Sequence, residues 1–371
     1  MNTNQRLFNE LNARKDSNSL RTLRTQENLI DFCSNDYLGL STNTRLQDRI
    51  HWEFHNSNKK TGSGGSRLLS GNYPQLEELE KLLAETHHQE TALLFNSGYN
   101  ANLAFFSTIP KKGDLILYDD LIHACIKDGA RLSFAKHQSF RHNDIQDLQR
   151  KIEKSSEKNI FVAVESIYSM DGDIAPLVEL TNICDASNIH LVIDEAHSTG
   201  AFGEHGSGLV SQLQLDDKVF CKIHTFGKAI GAHGAVITGS QILKEYLINF
   251  ARPFIYTTSL PLHNIISIHE AYKFIAEFDF LQKQLQENIF LFTQTVKHSH
   301  SPQNAPIQSI LIPGNEKVKS IAKKLQSKGY NVKAVLSPTV KPGTERLRIC
   351  IHQNNSSDHI KELATTINGL I

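Results

Sequence analysis

From residue 91 onward the chain alternates short apolar runs with stretches of helical periodicity. Runs at 91–96, 114–118, 160–166, 190–194, 219–225 and 235–238 read as strands. Most are continuously apolar rather than alternating, the pattern of a parallel sheet covered on both faces. The stretches 98–107, 122–133, 145–154 and 176–187 place apolar residues at helical spacing. Such alternation predicts an α/β domain built on a mainly parallel sheet. After about residue 250 the texture changes. Two long helices, 262–278 and 280–298, precede a strand at 308–312, a helix at 317–328, strands at 332–336 and 346–352, and a final helix. The expected organisation is an N-terminal segment (1–40), a large α/β domain (41–250) and a smaller α+β domain (251–371). Pro253, Pro261 and the stretch 257–259 mark the expected hinge.

Composition narrows the function classes. Lys plus Arg equals Asp plus Glu at 39 each. That balance gives no electrostatic reason to expect nucleic acid or an anionic membrane as partner. Residues 1–12 are polar, with no apolar core of a secretory signal, and no apolar run nears the ~20 residues that span a bilayer. The five cysteines are scattered and form no C-x-x-C pair, as expected of reduced residues in a cytoplasmic protein. His87, His88, His298 and His300 read as solvated helix residues, and no zinc spacing is present. Trp52 reads as a packing residue.

Candidate chemistry sits at predicted strand ends. The apolar run 191–193 delivers Asp194 at its carboxyl end, with His197 three residues on. Ligands of open α/β sheets bind at that edge. Such an acid can bind a metal, act as a base, pair with a cationic ring nitrogen or simply cap the turn. The strand ending near Thr225 leads into a short turn bearing Lys228, and a desolvated lysine can act as a Schiff-base nucleophile. Residues 95–99 join a strand to a helix, with Gly98 allowing close approach to a phosphate at the helix start. The glycine-rich stretch 62–67 lacks the pattern of a P-loop. Arg346 and Arg348 share one face of an alternating strand. One of them can be solvated while an inward guanidinium suits a carboxylate.

Taken in order, the glycine turn at 98, His123, Asp194 with His197, Thr225 with Lys228, and Arg348 resemble the α-oxoamine synthases, over roughly residues 10 to 370. Residues 34–40, 62–67, 169–173 and 257–259 share in the resemblance. It implies a fold-type-I pyridoxal 5'-phosphate-dependent transferase with a seven-stranded sheet, acting as a homodimer with active sites at the subunit interface. The stretches 97–102 and 128–133 and Arg21 are most similar to members that join L-alanine to a pimeloyl thioester. Cys350 departs from the threonine usual there, and the alternative is a sibling activity that takes glycine or serine as its amino-acid substrate in place of alanine.

Roles follow from the resemblance alone. Lys228 carries the cofactor as a Schiff base and moves the α-proton, while Asp194 pairs with the ring nitrogen. His197 meets the phenolic oxygen, His123 stacks on the ring, and Ser169 contacts the cofactor. The backbone of Gly98 and Tyr99, with Thr225 and the other subunit's Thr257 and Thr258, holds the phosphate. Arg348 and Asn35 take the amino-acid carboxylate, and Arg21 faces the acyl donor.

Overall fold

The structure, a computed structural model, describes residues 2–23, 25, 28–187 and 189–371. Their chain forms two compact units. The larger comprises Asn35–Ser169 and Ile174–Lys283. Its seven strands are β1 (Thr91–Phe95), β2 (Leu115–Asp119), β3 (Lys136–Phe140), β4 (Ile160–Glu165), β5 (His190–Asp194), β6 (Cys221–Thr225) and β7 (Ala235–Gly239). They run side by side in the order β1-β7-β6-β5-β4-β2-β3. Only β7 is antiparallel to its neighbours. Strands β4 to β7 are buried at nearly every position, which explains the apolar runs of β4, β5 and β7, while β6 also buries Lys222 and His224. The sequence reading lacks β3, an edge strand of residues 136–140 whose side chains are mostly polar and exposed. Its hydrogen bonds come from β2 rather than from an apolar face.

Helices Gly98–Thr108 and Ala124–Leu132 cover one face of this sheet through a cluster containing Phe105, Phe106, Ile126 and Ala130. The two helices approach closely at Gly129, where a Cβ would lie 2.7 Å from the Cβ of Phe106. Ser97 caps the first helix by accepting the Asn100 N–H at 3.2 Å, a contact worth about 1 kcal/mol. Because six strands share one direction, their carboxyl ends form a single edge. That edge delivers Ser97 and Gly98, His123, Glu165, Asp194 and His197, and Thr225 and Lys228.

The proline segment is not a hinge. Pro253 starts the short helix Arg252–Ile255 and Pro261 caps the helix Leu262–Glu277, and both helices belong to the larger unit. Proline is favoured at helix starts because its missing N–H has no acceptor to lose there. The units divide instead near residues 34 and 283. Trp52 is not a packing residue either, being 65 % exposed. It lies off the stripe Leu46, Arg49, Ile50, Glu53 and Phe54 that the helix Thr44–His55 turns inward.

His87 corrects a further expectation, since it is buried and stacks on the His224 ring at 3.6 Å. Its Nδ1 lies 2.9 Å from the Ser207 carbonyl and its Nε2 2.9 Å from the Tyr272 hydroxyl. Burial, with the charge of Lys222 adding to it, pushes His87 down to about 3. Burial likewise holds His224 well below the usual histidine range. The unfolded chain therefore binds a proton at His87 below its ordinary value of 6.5, whereas the folded chain does so only near 3. Stability should fall as pH drops through that window, by on the order of 4 kcal/mol from this residue. Unfolding free energies measured from pH 7 to pH 4 test this against His87→Phe, which should fall less steeply by up to one proton's slope.

The smaller unit comprises the residues up to Ser34, Met170–Asp173 and Gln284–Ile371. Its antiparallel sheet places Arg346–Cys350 between Lys333–Val335 and Ile307–Leu311. Helices Asn315–Ser327 and Ser357–Leu370 belong to the same unit. Both arginines of the central strand are buried, so neither is a solvated cation. Arg346 pairs with Asp171, and Arg348 Nη1 donates to Cys350 Sγ at 2.9 Å.

Candidate active site

Asp194 is buried at the end of β5, with both carboxyl oxygens occupied. Oδ1 accepts the Ala196 N–H at 2.9 Å, and Oδ2 accepts from the Asn102 side chain at 2.7 Å. Asn102 also donates to the Gly98 carbonyl at 3.1 Å, which ties the helix start to the acid. One residue beyond Ala196, His197 is buried with Nδ1 2.7 Å from the Tyr37 hydroxyl, and that hydroxyl stands 3.1 Å from Asn35 Oδ1. The 34–40 stretch makes this possible. Asp36 accepts the backbone N–H of Leu40 and Ser41 at 3.0 and 3.1 Å, and the resulting turn buries Tyr37.

Lys228 is half-buried in the turn after β6. Its charge and that of Asp194 act on the same two groups. Desolvation lowers the pKa of His123, Asp194 opposes that shift, and Lys228 adds to it. Burial and Asp194 push Glu165 up to about 8, against the pull of Lys228. An amine and a carboxylate thus share one neighbourhood at the sheet edge.

His123 caps the helix Ala124–Leu132 by accepting the Cys125 N–H on Nδ1 at 3.3 Å. The neutral ring then carries its proton on Nε2. Cys125 Sγ lies 2.9 Å from the same nitrogen, and burial pushes that thiol far up, as befits an inert thiol. Gly98 and Tyr99 open a helix whose first N–H groups have no intrahelical acceptor. A Cβ at Gly98 would lie 2.4 Å from Thr225 Cγ2, so glycine is required where β6 ends against that helix. Thr257 Oγ1 and the Thr258 carbonyl accept from the Asn96 side chain at 3.1 and 2.7 Å. Ser169 is half-buried in the loop beyond β4. The larger unit thus holds Asn35, Gly98, Tyr99, His123, Ser169, Asp194, His197, Thr225, Lys228, Thr257 and Thr258. Arg348 and Arg21 belong to the smaller unit, where Arg21 donates to Thr339 Oγ1 at 3.1 Å.

Sequence reasoning missed Asn102, Tyr37 and Glu165. Glu165 carries the same signal as Asp194, an acid ending a wholly apolar strand. Asn102 signals itself only as a polar residue next to the apolar run Leu103–Phe106 of its helix.

These residues fit pyridoxal phosphate. The first N–H groups of the helix that opens at Gly98 suit a phosphate, the buried Asp194 suits a cationic ring nitrogen, and Lys228 supplies an amine. The chain belongs to the aminotransferase class I and II family, whose model matches residues 27–367. Within it, the chain is a pyridoxal phosphate-dependent acyltransferase of the α-oxoamine synthase type. It is 40% identical to 8-amino-7-oxononanoate synthase of Emericella nidulans over 366 residues, covering 91% of this chain and 88% of the relative. It resembles the solved 8-amino-7-oxononanoate synthase of Francisella tularensis with TM-score 0.78 and 30% identity, covering 92% of this chain and 97% of that one. A serine palmitoyltransferase variant from S. paucimobilis with bound PLP–myriocin shares the fold at TM-score 0.89 and 24% identity, covering 98% and 96%. The expected α/β fold, its mainly parallel seven-stranded sheet and the cofactor class are therefore correct. Among the described residues, no helix is long and apolar enough to cross a membrane.

Proposed function

We propose that the chain condenses L-alanine with a pimeloyl thioester, giving 8-amino-7-oxononanoate, CO2 and the free thiol carrier, as a cytoplasmic homodimer in biotin biosynthesis. The shared influence of Lys228 and Asp194 on His123 and Glu165 carries the chemistry. The 40% identical relative supports the choice of substrates. Pyridoxal phosphate, when bound, supplies an electron sink that makes an amino acid's α-hydrogen acidic.

The residues then divide the work. Asp194, held by Asn102 and Ala196, would pair with the ring nitrogen. His197, hydrogen-bonded through Nδ1 to the Tyr37 hydroxyl, would meet the phenolic oxygen. His123 would stack on the ring, and Ser169 would contact the cofactor. The first N–H groups of the Gly98 helix and Thr225, with Thr257 and Thr258 of the partner subunit, hold the phosphate. Arg348 and Asn35 bind the amino-acid carboxylate, and Arg21 takes the distal carboxylate of the acyl chain. Lys228 Nζ accepts the α-proton. The Cα–acyl bond forms as the C–S bond breaks, and the departing thiolate takes a proton from solvent. The Cα–carboxylate bond then breaks as CO2, and Lys228 returns its proton to Cα.

Mass-spectrometric identification of the product from L-alanine and pimeloyl-CoA tests this reading. The expected product is 8-amino-7-oxononanoate, with glycine and serine poor substitutes for alanine. A preference for glycine with acetyl- or succinyl-CoA, or for serine with palmitoyl-CoA, would assign a sibling activity instead.

A further inference from the structure

The carboxyl edge of the sheet carries a second buried acid that the reading above leaves without a role. β4 is apolar up to Glu165, which is 3% exposed and pairs with Asp194 in the parallel register of β4 and β5. Residues paired in this way project to one face of strands about 4.8 Å apart. Phe161, Ala163 and Val192 share that face and pack against helices Gly98–Thr108 and Ala124–Leu132. Two carboxyl groups therefore stand side by side where those helices begin.

Their surroundings differ. Asp194 accepts two hydrogen bonds, from Ala196 and Asn102. Glu165 Oε1 accepts the backbone N–H of His123, at 2.6 Å. His123 is the cap of its helix, so this contact fixes where the chain turns into the helix, while Cys125 N–H fixes the ring. The other groups facing Glu165 are Lys228 beyond β6, Asp119 on β2 and Cys125 on the helix.

We propose that Glu165 is a positioning residue of the active site that acts through the backbone of His123. The inference rests on the cofactor reading above. Two adjacent buried carboxyl groups do not both ionise readily, and the proton falls to Glu165, whose value burial and Asp194 raise to about 8. At neutral pH it is an uncharged acid that still accepts the His123 N–H. Above about pH 8 Glu165 ionises and adds a negative charge beside Asp194.

Glu165→Gln keeps the acceptor oxygen and removes the titration, whereas Glu165→Leu removes both. The holoenzymes are compared by infrared spectroscopy, by the cofactor's visible absorption against pH, and by α-deuterium exchange of L-alanine. Wild type should show a protonated-carboxyl stretch that disappears as pH rises through about 8, with an absorption step in the same range, both absent from the Gln variant. At pH 7 the Gln variant should exchange within about 3-fold of wild type, and the Leu variant about 10- to 100-fold more slowly. Wild-type exchange in the Leu variant would overturn the proposal. So would an unchanged stretch and step in the Gln variant, a result that stands even if Glu165→Leu impairs folding. Absence of any cofactor band in wild type would overturn the cofactor reading together with it, which keeps the two failures distinct.

Discussion

Replacing Lys228 with alanine should lower turnover by about 1,000-fold or more while the chain stays folded. The backbone holds the turn that carries the residue. Phe226 N–H donates to the Gly234 carbonyl at 3.0 Å, Gly231 N–H to the Lys228 carbonyl at 2.8 Å, and Ala232 N–H to the Phe226 carbonyl at 2.8 Å. None of these contacts needs the lysine side chain, so its loss removes an amine and not an element of the fold. Borohydride should fix the cofactor to residue 228 in the wild type and leave the variant unlabelled, as read by intact mass. The charge balance should shift as well. Lys228 lowers both His123 and Glu165, so both should titrate at higher pH in the variant. Wild-type turnover in Lys228→Ala would remove the lysine from the mechanism altogether.

What the sequence makes legible follows from how strongly each residue type is constrained. Strands β4 and β5 are visible because burial on both faces leaves mostly apolar residues, and the acid or turn that closes a strand marks the carboxyl edge. Asp194 and Lys228 are read from that rule together with the resemblance. Glu165 obeys the same rule but lies outside the stretches that carry the resemblance. β3 is hidden for the opposite reason, since its polar side chains face outward and its backbone is held by β2. The burial of His87 could not be foreseen, because it depends on partners 120 to 185 residues away, at Ser207, His224 and Tyr272. The prolines at 253 and 261 mislead because the same rigid backbone suits both a hinge and a helix start.

Asp194→Asn is expected to cost about 100- to 1,000-fold in turnover, with much weaker retention of the cofactor on dialysis. The substitution preserves volume, so the core formed by β4, β5 and the helices above them should survive. It removes the charge and turns one acceptor into a donor. Ala196 N–H and the Asn102 amide now occupy the two oxygens, so an amide at 194 satisfies one of them and faces the other with its own N–H groups. That mismatch costs about 1–3 kcal/mol and should appear as a lower unfolding midpoint than that of Lys228→Ala. The neighbouring titrations give an independent check. Asp194 raises both Glu165 and His123, so in Asp194→Asn both should titrate at lower pH, opposite in direction to their shift in Lys228→Ala. A carboxyl stretch of Glu165 that moves the same way in the two variants would mean that the acid and the amine do not act on a common site.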